Sequence, residues 1–275
     1  MTLSERSENK PVGKERVVFW LGCHVLRHSD IIRSCMAVLE RLGVDALPVG
    51  GARYCCGTIK DMNIAAAQTL GERTTNRFNE FGRDTVISYC PSCQVHLDNF
   101  MSETNETEFD FGHFVKFLHQ KQEHLAGLLT KPIVKRVALH MHSGFQQRAS
   151  INQMTLDLLN LIPGLEVIQH DVLAPGVHCT GAFVAIPGVN RDMLEGMLCL
   201  RHEHAVDAVV TIFHSCQRQL CALEAGHPVN VVNFVSLLAT SMGVAEQTDL
   251  YKAWKNAGDE AAIRCRRGRS GGSGR

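Results

Sequence analysis

Apolar and polar positions follow two rhythms along the chain. Short apolar runs at Val17–Leu21, Asp84–Tyr89, Val137–Met141 and Ala208–Phe213 predict buried strands. Ala46–Val49 and Glu166–Ile168 predict shorter extended segments. Between them the period becomes helical. Over Asp30–Leu42, residues Ile31, Ile32, Cys35, Val38, Leu39 and Leu42 share one stripe, and Gly43 supplies a stop. Further helices are predicted over Ile59–Phe81 (interrupted at Gly71), Ser92–Met101, Asn152–Ile162, Arg191–His204 and Gln217–Ala225. Strand alternating with helix predicts an α/β fold with mostly parallel strands, each small sheet flanked by its crossover helices.

The pattern occurs twice. Arg16-Val-Val-Phe-Trp-Leu-Gly-Cys23 is answered 120 residues later by Arg136-Val-Ala-Leu-His-Met-His-Ser143. Tyr89-Cys-Pro-Ser-Cys93-Gln94 is answered by Ile212-Phe-His-Ser-Cys216-Gln217, and Phe114-Val-Lys-Phe-Leu118 by Phe234-Val-Ser-Leu-Leu238. Units of that length are far longer than solenoid repeats, so two pseudo-symmetric copies are expected. The expected division is a flexible tail at 1–15, one repeat over 16–130, a second over 131–246, and a C-terminal helix with a basic, flexible tail at 247–275.

Composition narrows the class. The 28 Lys and Arg residues balance the 28 Asp and Glu residues, which gives no charge-based reason to expect nucleic acid. No apolar run is long enough to cross a membrane, and the polar N-terminus lacks a signal-peptide core, so a cytoplasmic protein is the expectation. Eleven cysteines are many for such a protein. In a reducing compartment, clustered cysteines point to metal or redox chemistry rather than disulfides.

Five of them stand in order at predicted strand ends and helix starts: Cys23, the pair Cys55-Cys56 followed by Gly57, and Cys90-Pro-Ser-Cys93. Ligands of open α/β sheets gather at the carboxyl ends of strands, and helix N-termini favour thiolate. Adjacent Cys55 and Cys56 suit two different metals better than one tetrahedral ion, and Gly57 permits close backbone approach. Five thiolates exceed the four of a zinc or cubane site, which favours an iron–sulfur cluster of unusual shape. Buried structural cysteines or a structural zinc are the plainer alternatives.

The set Cys-x31-Cys-Cys-Gly-x32-Cys-x-x-Cys resembles the cysteine-rich CCG domain found in the B-type subunit of heterodisulfide reductase. The resemblance covers nearly the whole chain, since that family carries two such domains in tandem. It implies one non-cubane [4Fe-4S] cluster held by Cys23, Cys55, Cys56, Cys90 and Cys93. It further implies an oxidoreductase acting on thiol, disulfide or carrier-bound sulfur, active within a complex. The implied partners are a ferredoxin-like C-type subunit and a flavin-containing A-type subunit, as in the heterodisulfide-reductase-like complexes of sulfur oxidisers. The competing readings are an electron-relay or assembly subunit of a dehydrogenase complex, and a zinc-binding scaffold.

The second copy departs from the pattern. Ser143 stands where Cys23 does, His178-Cys179-Thr180-Gly181 replaces Cys-Cys-Gly, and Phe213-His-Ser-Cys216 replaces Cys-Pro-Ser-Cys. A second five-ligand cluster is not expected. His178, Cys179 and Cys216 form a weak candidate zinc site, with His140, His142 and His214 expected nearby. Of the rest, Cys35, Cys199, Cys221, Phe19, Trp20 and Met62 read as core, and Cys265 as an exposed tail thiol. His202 and His204 read as a solvated face, and His24, His28 and His96 as surface or supporting histidines that could hold a proton near the cluster loop.

Overall fold

The computed structural model describes residues 14–57, 62–141, 146–169, 172, 179 and 184–257. Both predicted tails fall mostly outside these residues, Cys265 included.

Two four-stranded sheets of parallel strands share one topology. The first contains β1 (Arg16–Gly22), β2 (Asp45–Gly50), β3 (Thr85–Ser88) and β4 (Asp110–His113), in the order β2-β1-β3-β4. The second contains β5 (Lys135–His140), β6 (Leu165–Gln169), β7 (Ala208–Thr211) and β8 (Val231–Asn233), in the order β6-β5-β7-β8. The chain is thus an α/β protein of two pseudo-repeats, as the sequence predicts. The central strands are buried along almost their whole length, because helices cover both faces of a parallel sheet. In each sheet the direction of strand progression reverses between the first and third strands. The carboxyl ends of β1 and β3 therefore flank a crevice, and so do those of β5 and β7.

The connecting helices are α1 (Ser29–Arg41), α2 (Ile64–Glu80), α3 (Pro91–His96), α4 (Ser102–Thr104), α5 (Phe114–Gln120), α6 (Gln122–Leu128), α7 (Gln146–Asn160), α8 (Val189–Glu203), α9 (His214–Leu220) and α10 (Phe234–Ser241). The two halves pack reciprocally: α1 lies on α10, and the corresponding α7 lies on α5. Phe114 at the start of α5 bridges the cores, 5.2 Å from Phe19 and 6.5 Å from Phe234 between ring centroids. All three rings are fully buried, and each contributes about 1.5–3 kcal/mol from area removed from water.

Several sequence expectations need correction. Gly71 does not interrupt α2; it lies buried within it, where an added Cβ would come 3.2 Å from Met101 Cγ. The helix after Cys90 is α3 followed by a π turn over Leu97–Met101 and then α4, not one regular helix. The helix expected over Gln217–Ala225 begins three residues earlier and gives way to a 3-10 turn at Cys221–Leu223. Strands β4 and β8 escaped the apolar pattern because each is short and ends in a polar residue, His113 or Asn233. Met62 is 89% exposed, not core, and Cys199 is only half-buried.

Candidate metal centre

The five cysteines of the first half meet at the carboxyl ends of its strands. β1 ends at Gly22 with φ +75°, and its pairing with β2 shifts register between Trp20 and Gly22. That turn delivers Cys23 to the crevice mouth, where it is exposed. Glycine is required twice over at position 22. A Cβ would sit 3.0 Å from Cys90 Cβ and 3.1 Å from Cys93 Sγ, in a backbone conformation that side chains rarely adopt.

Cys55 and Cys56 follow β2 and a 3-10 turn at Ala52–Tyr54. This loop is tied down from two sides. The Trp20 indole N–H donates to the Tyr54 carbonyl at 2.9 Å, and the Thr74 hydroxyl donates to the Cys55 carbonyl at 2.7 Å. Arg73 and Arg77 on α2 donate to the carbonyls of Ala52 and Arg53. Gly57 has φ +76°, and a Cβ there would strike the Ala67 carbonyl oxygen at 2.6 Å. The Cys-Cys-Gly order thus has a steric reason: the glycine lets the pair lie against the first turn of α2.

Cys90 caps the N-terminus of α3, Pro91 occupies the first helical position, and Cys93 lies one turn on. Both thiols are buried, Cys56 is buried and Cys55 is half-buried. The site is therefore sealed on the α3 side and open at Cys23.

The thiols perturb one another. A hydrogen bond from Cys93 lowers the Cys90 pKa, while hydrogen bonds to Cys56 and Cys90 raise that of Cys93 well above its ordinary value. Cys55 is raised, chiefly by its hydrogen bond with Cys56. Cys23 is raised by burial, then by the charges of Cys90 and Cys56. Five sulfurs so placed cannot all be anionic without a compensating cation. Five thiol donors exceed the four that one tetrahedral ion takes, so this donor set fits a multi-iron sulfide group better.

In the second half a different set converges. His140, at the end of β5, lies with Nε2 3.2 Å from Cys179 Sγ, and Cys179 Sγ lies 3.2 Å from Cys216 Sγ. All three residues are buried. His142 and His178 lie outside the described residues. His214 is not part of this group, and its ring lies 6.4 Å from those of Tyr89 and His28 between centroids. Of the weak site expected from the sequence, Cys179 and Cys216 come together. Their described histidine partner is His140, a strand residue that the sequence places only in the neighbourhood.

The histidines near the cluster loop divide. His24 is exposed, but His28 is completely buried and His96 nearly so, so neither is a surface histidine. His28 sits in a seam with Asp30 and Asp249, its ring 4.8 Å from that of Tyr251. Burial lowers the His28 pKa to about 4 and raises that of Asp30 to about 7.

Comparison with known proteins agrees with the first-half geometry. Residues 17–98 match the family model of a cysteine-rich domain named CCG. A stretch of 98 residues is 26% identical to the B-type subunit of fumarate reductase (CoM/CoB) from Methanothermobacter marburgensis. That match takes in 34% of this chain and 20% of the relative, so the chain spans only a small part of that protein's length. Among solved structures, a hypothetical protein from Helicobacter pylori superposes with a TM-score of 0.50 at 11% identity, over 88% of this chain and 52% of that one. Glutamate racemase from Aquifex pyrophilus covers 85% of both chains at a TM-score of 0.34 and 14% identity, which carries no functional argument.

Proposed function

From a chain whose residues 17–98 match the model of the cysteine-rich CCG domain family, we propose an iron–sulfur redox subunit of heterodisulfide-reductase type. The observation that carries this reading is the meeting of Cys23, Cys55, Cys56, Cys90 and Cys93 at one crevice, with Gly22 and Gly57 making the approach possible. These five thiolates would hold one non-cubane [4Fe-4S] cluster, which when bound supplies one-electron chemistry at sulfur.

The protein's own contributions follow from its geometry. Cys56, Cys90 and Cys93 are buried and exclude water from the inner side. The N–H groups of the first turn of α3 face the Cys90 side and favour its anionic form. Exposed Cys23 marks the side from which a thiol, disulfide or carrier-bound sulfur substrate would arrive. This openness favours a substrate site over a pure electron relay. Among the described residues no helix is long and apolar enough to cross a membrane. The similarity to a protein named as a subunit supports work within a complex, and electron exchange would use a ferredoxin-like C-type and a flavin-containing A-type partner.

Paramagnetic resonance of the anaerobic protein after oxidation with thiol present tests the assignment. Cys55→Ser and Cys56→Ser should each change or abolish the signal and lower iron content. Iron and spectrum that survive both substitutions would refute the five-ligand site.

A further inference from the structure

The second half brings a different set of donor atoms together. The register of the two sheets places His140 beside Thr211, as Trp20 lies beside Ser88. His140 therefore occupies the position of Trp20, the residue that in the first half ties down the Cys55 loop. Cys179 and Cys216 occupy the positions of Cys56 and Cys93. A tryptophan that only holds the loop is thus replaced by an imidazole aimed at the loop's cysteine.

The local chemistry calls for a cation. The three donor atoms lie within 4.8 Å of one another in a buried pocket. His140 Nδ1 has no hydrogen-bond partner among the described residues, and the ring's other nitrogen faces sulfur. Thiol–thiol and thiol–imidazole contacts are weak hydrogen bonds. In a tetrahedral zinc site two sulfurs bonded at about 2.3 Å stand roughly 3.7 Å apart. The 3.2 Å separations seen here need to open by only about half an ångström to reach that spacing. The two sulfurs are also well beyond disulfide bonding, which needs about 2.05 Å.

We propose that His140, Cys179 and Cys216 form a second metal site that binds one zinc ion, separate from the five-cysteine centre. The neutral imidazole donates through Nε2. The two thiols ligate as thiolates and release their protons to solvent, so the ion and its ligands together carry no net charge and can remain buried. Among the described residues no fourth donor joins these three. The imidazole and two soft sulfurs suit zinc, and not the hard cations that prefer oxygen.

The test is cobalt and zinc binding by the full chain, read beside its iron content. Purified under reducing conditions, the protein should hold about one zinc per chain in addition to iron. Cobalt exchanged for that zinc should show thiolate-to-cobalt charge-transfer absorption and tetrahedral ligand-field bands. Cys216→Ser should lower the charge-transfer intensity and weaken zinc binding at least tenfold, with iron content unchanged. His140→Cys should keep the metal and raise the charge-transfer intensity, which separates ligation from simple loss of folding. Absence of stoichiometric zinc and of cobalt charge-transfer bands from an otherwise folded protein would overturn the proposal. So would a Cys179–Cys216 disulfide in the protein isolated under reducing conditions. Because iron is read separately, failure here is distinct from failure of the iron–sulfur assignment.

Discussion

Tyr89, the residue before Cys90 at the head of α3, is joined to Asn233 in the other half. Its hydroxyl lies 3.0 Å from Asn233 Oδ1 and 3.1 Å from the Ile212 carbonyl, which share its proton. The ring is fully buried, and burial raises the phenol's pKa well above its ordinary value, so it remains a donor. The seam between the halves is thereby fastened one residue from the candidate cluster.

Tyr89→Phe removes the donor, while the Asn233 oxygen keeps its bond from the Val235 N–H and the Ile212 carbonyl keeps its bond from Asn233 Nδ2. A loss of about 0.5–1.5 kcal/mol is expected, measured by urea unfolding under anaerobic conditions. Iron content should be unchanged, because no cysteine moves. An unchanged unfolding midpoint would show that the cross-half bond is not formed.

His113 and Asn233 do the same work in the two repeats. Each caps the helix that follows by accepting from the N–H two residues on, at 3.2 Å. Each also donates across its sheet, His113 Nε2 to the Tyr89 carbonyl and Asn233 Nδ2 to the Ile212 carbonyl. His113 must be neutral to accept through Nδ1, and burial lowers its pKa to about 4 from an ordinary 6.5. The unfolded chain therefore binds more protons between those values, and stability falls as pH drops through that window. His113→Asn should preserve the cap and remove up to about 3 kcal/mol of this acid sensitivity, measured as the difference between the two proteins' unfolding curves from pH 7 to pH 4. His28 and His214 shift in the same direction and Asp30 in the opposite one, but all three are common to both proteins. Parallel pH profiles would contradict the role given to His113.

Gly57→Ala forces a methyl group toward the Ala67 carbonyl in a left-handed backbone conformation. The Cys55-Cys56 loop must then withdraw from α2. Expected outcomes are a destabilisation of about 1–3 kcal/mol and iron loading well below that of the wild type. Gly82→Ala is the control: its φ is also positive, at +57°, but a Cβ meets nothing and no cysteine is near. Equal iron loading in both variants would show that Gly57 does not position the pair.

The five cysteines of the first half stand out in the sequence because four lie in loops between elements, where an apolar pattern breaks, and Cys93 lies in the first turn of α3. The Cys-Cys-Gly order can also be understood locally, since Gly57 meets Ala67 only ten residues away. The second-half set is only partly legible. His140 is the last residue of a buried strand, and Cys179 lies ten residues beyond β6, the strand paired with β5, so their meeting comes from the fold rather than from any spacing in the chain. Strand β4 is hidden because Asp110, Gly112 and His113 carry little strand propensity and form a strand through pairing with β3. The burial of His28 leaves no local trace, because its ring packs beside those of His214 and Tyr251, far away in the sequence.

The most direct test of the central claim is iron and acid-labile sulfide analysis of the protein purified without oxygen. The expected result is about four irons and four sulfides per chain, lost together in Cys56→Ser and retained in Cys221→Ser, whose thiol lies in the buried 3-10 turn after α9. Zinc with no sulfide in the wild-type protein would contradict it.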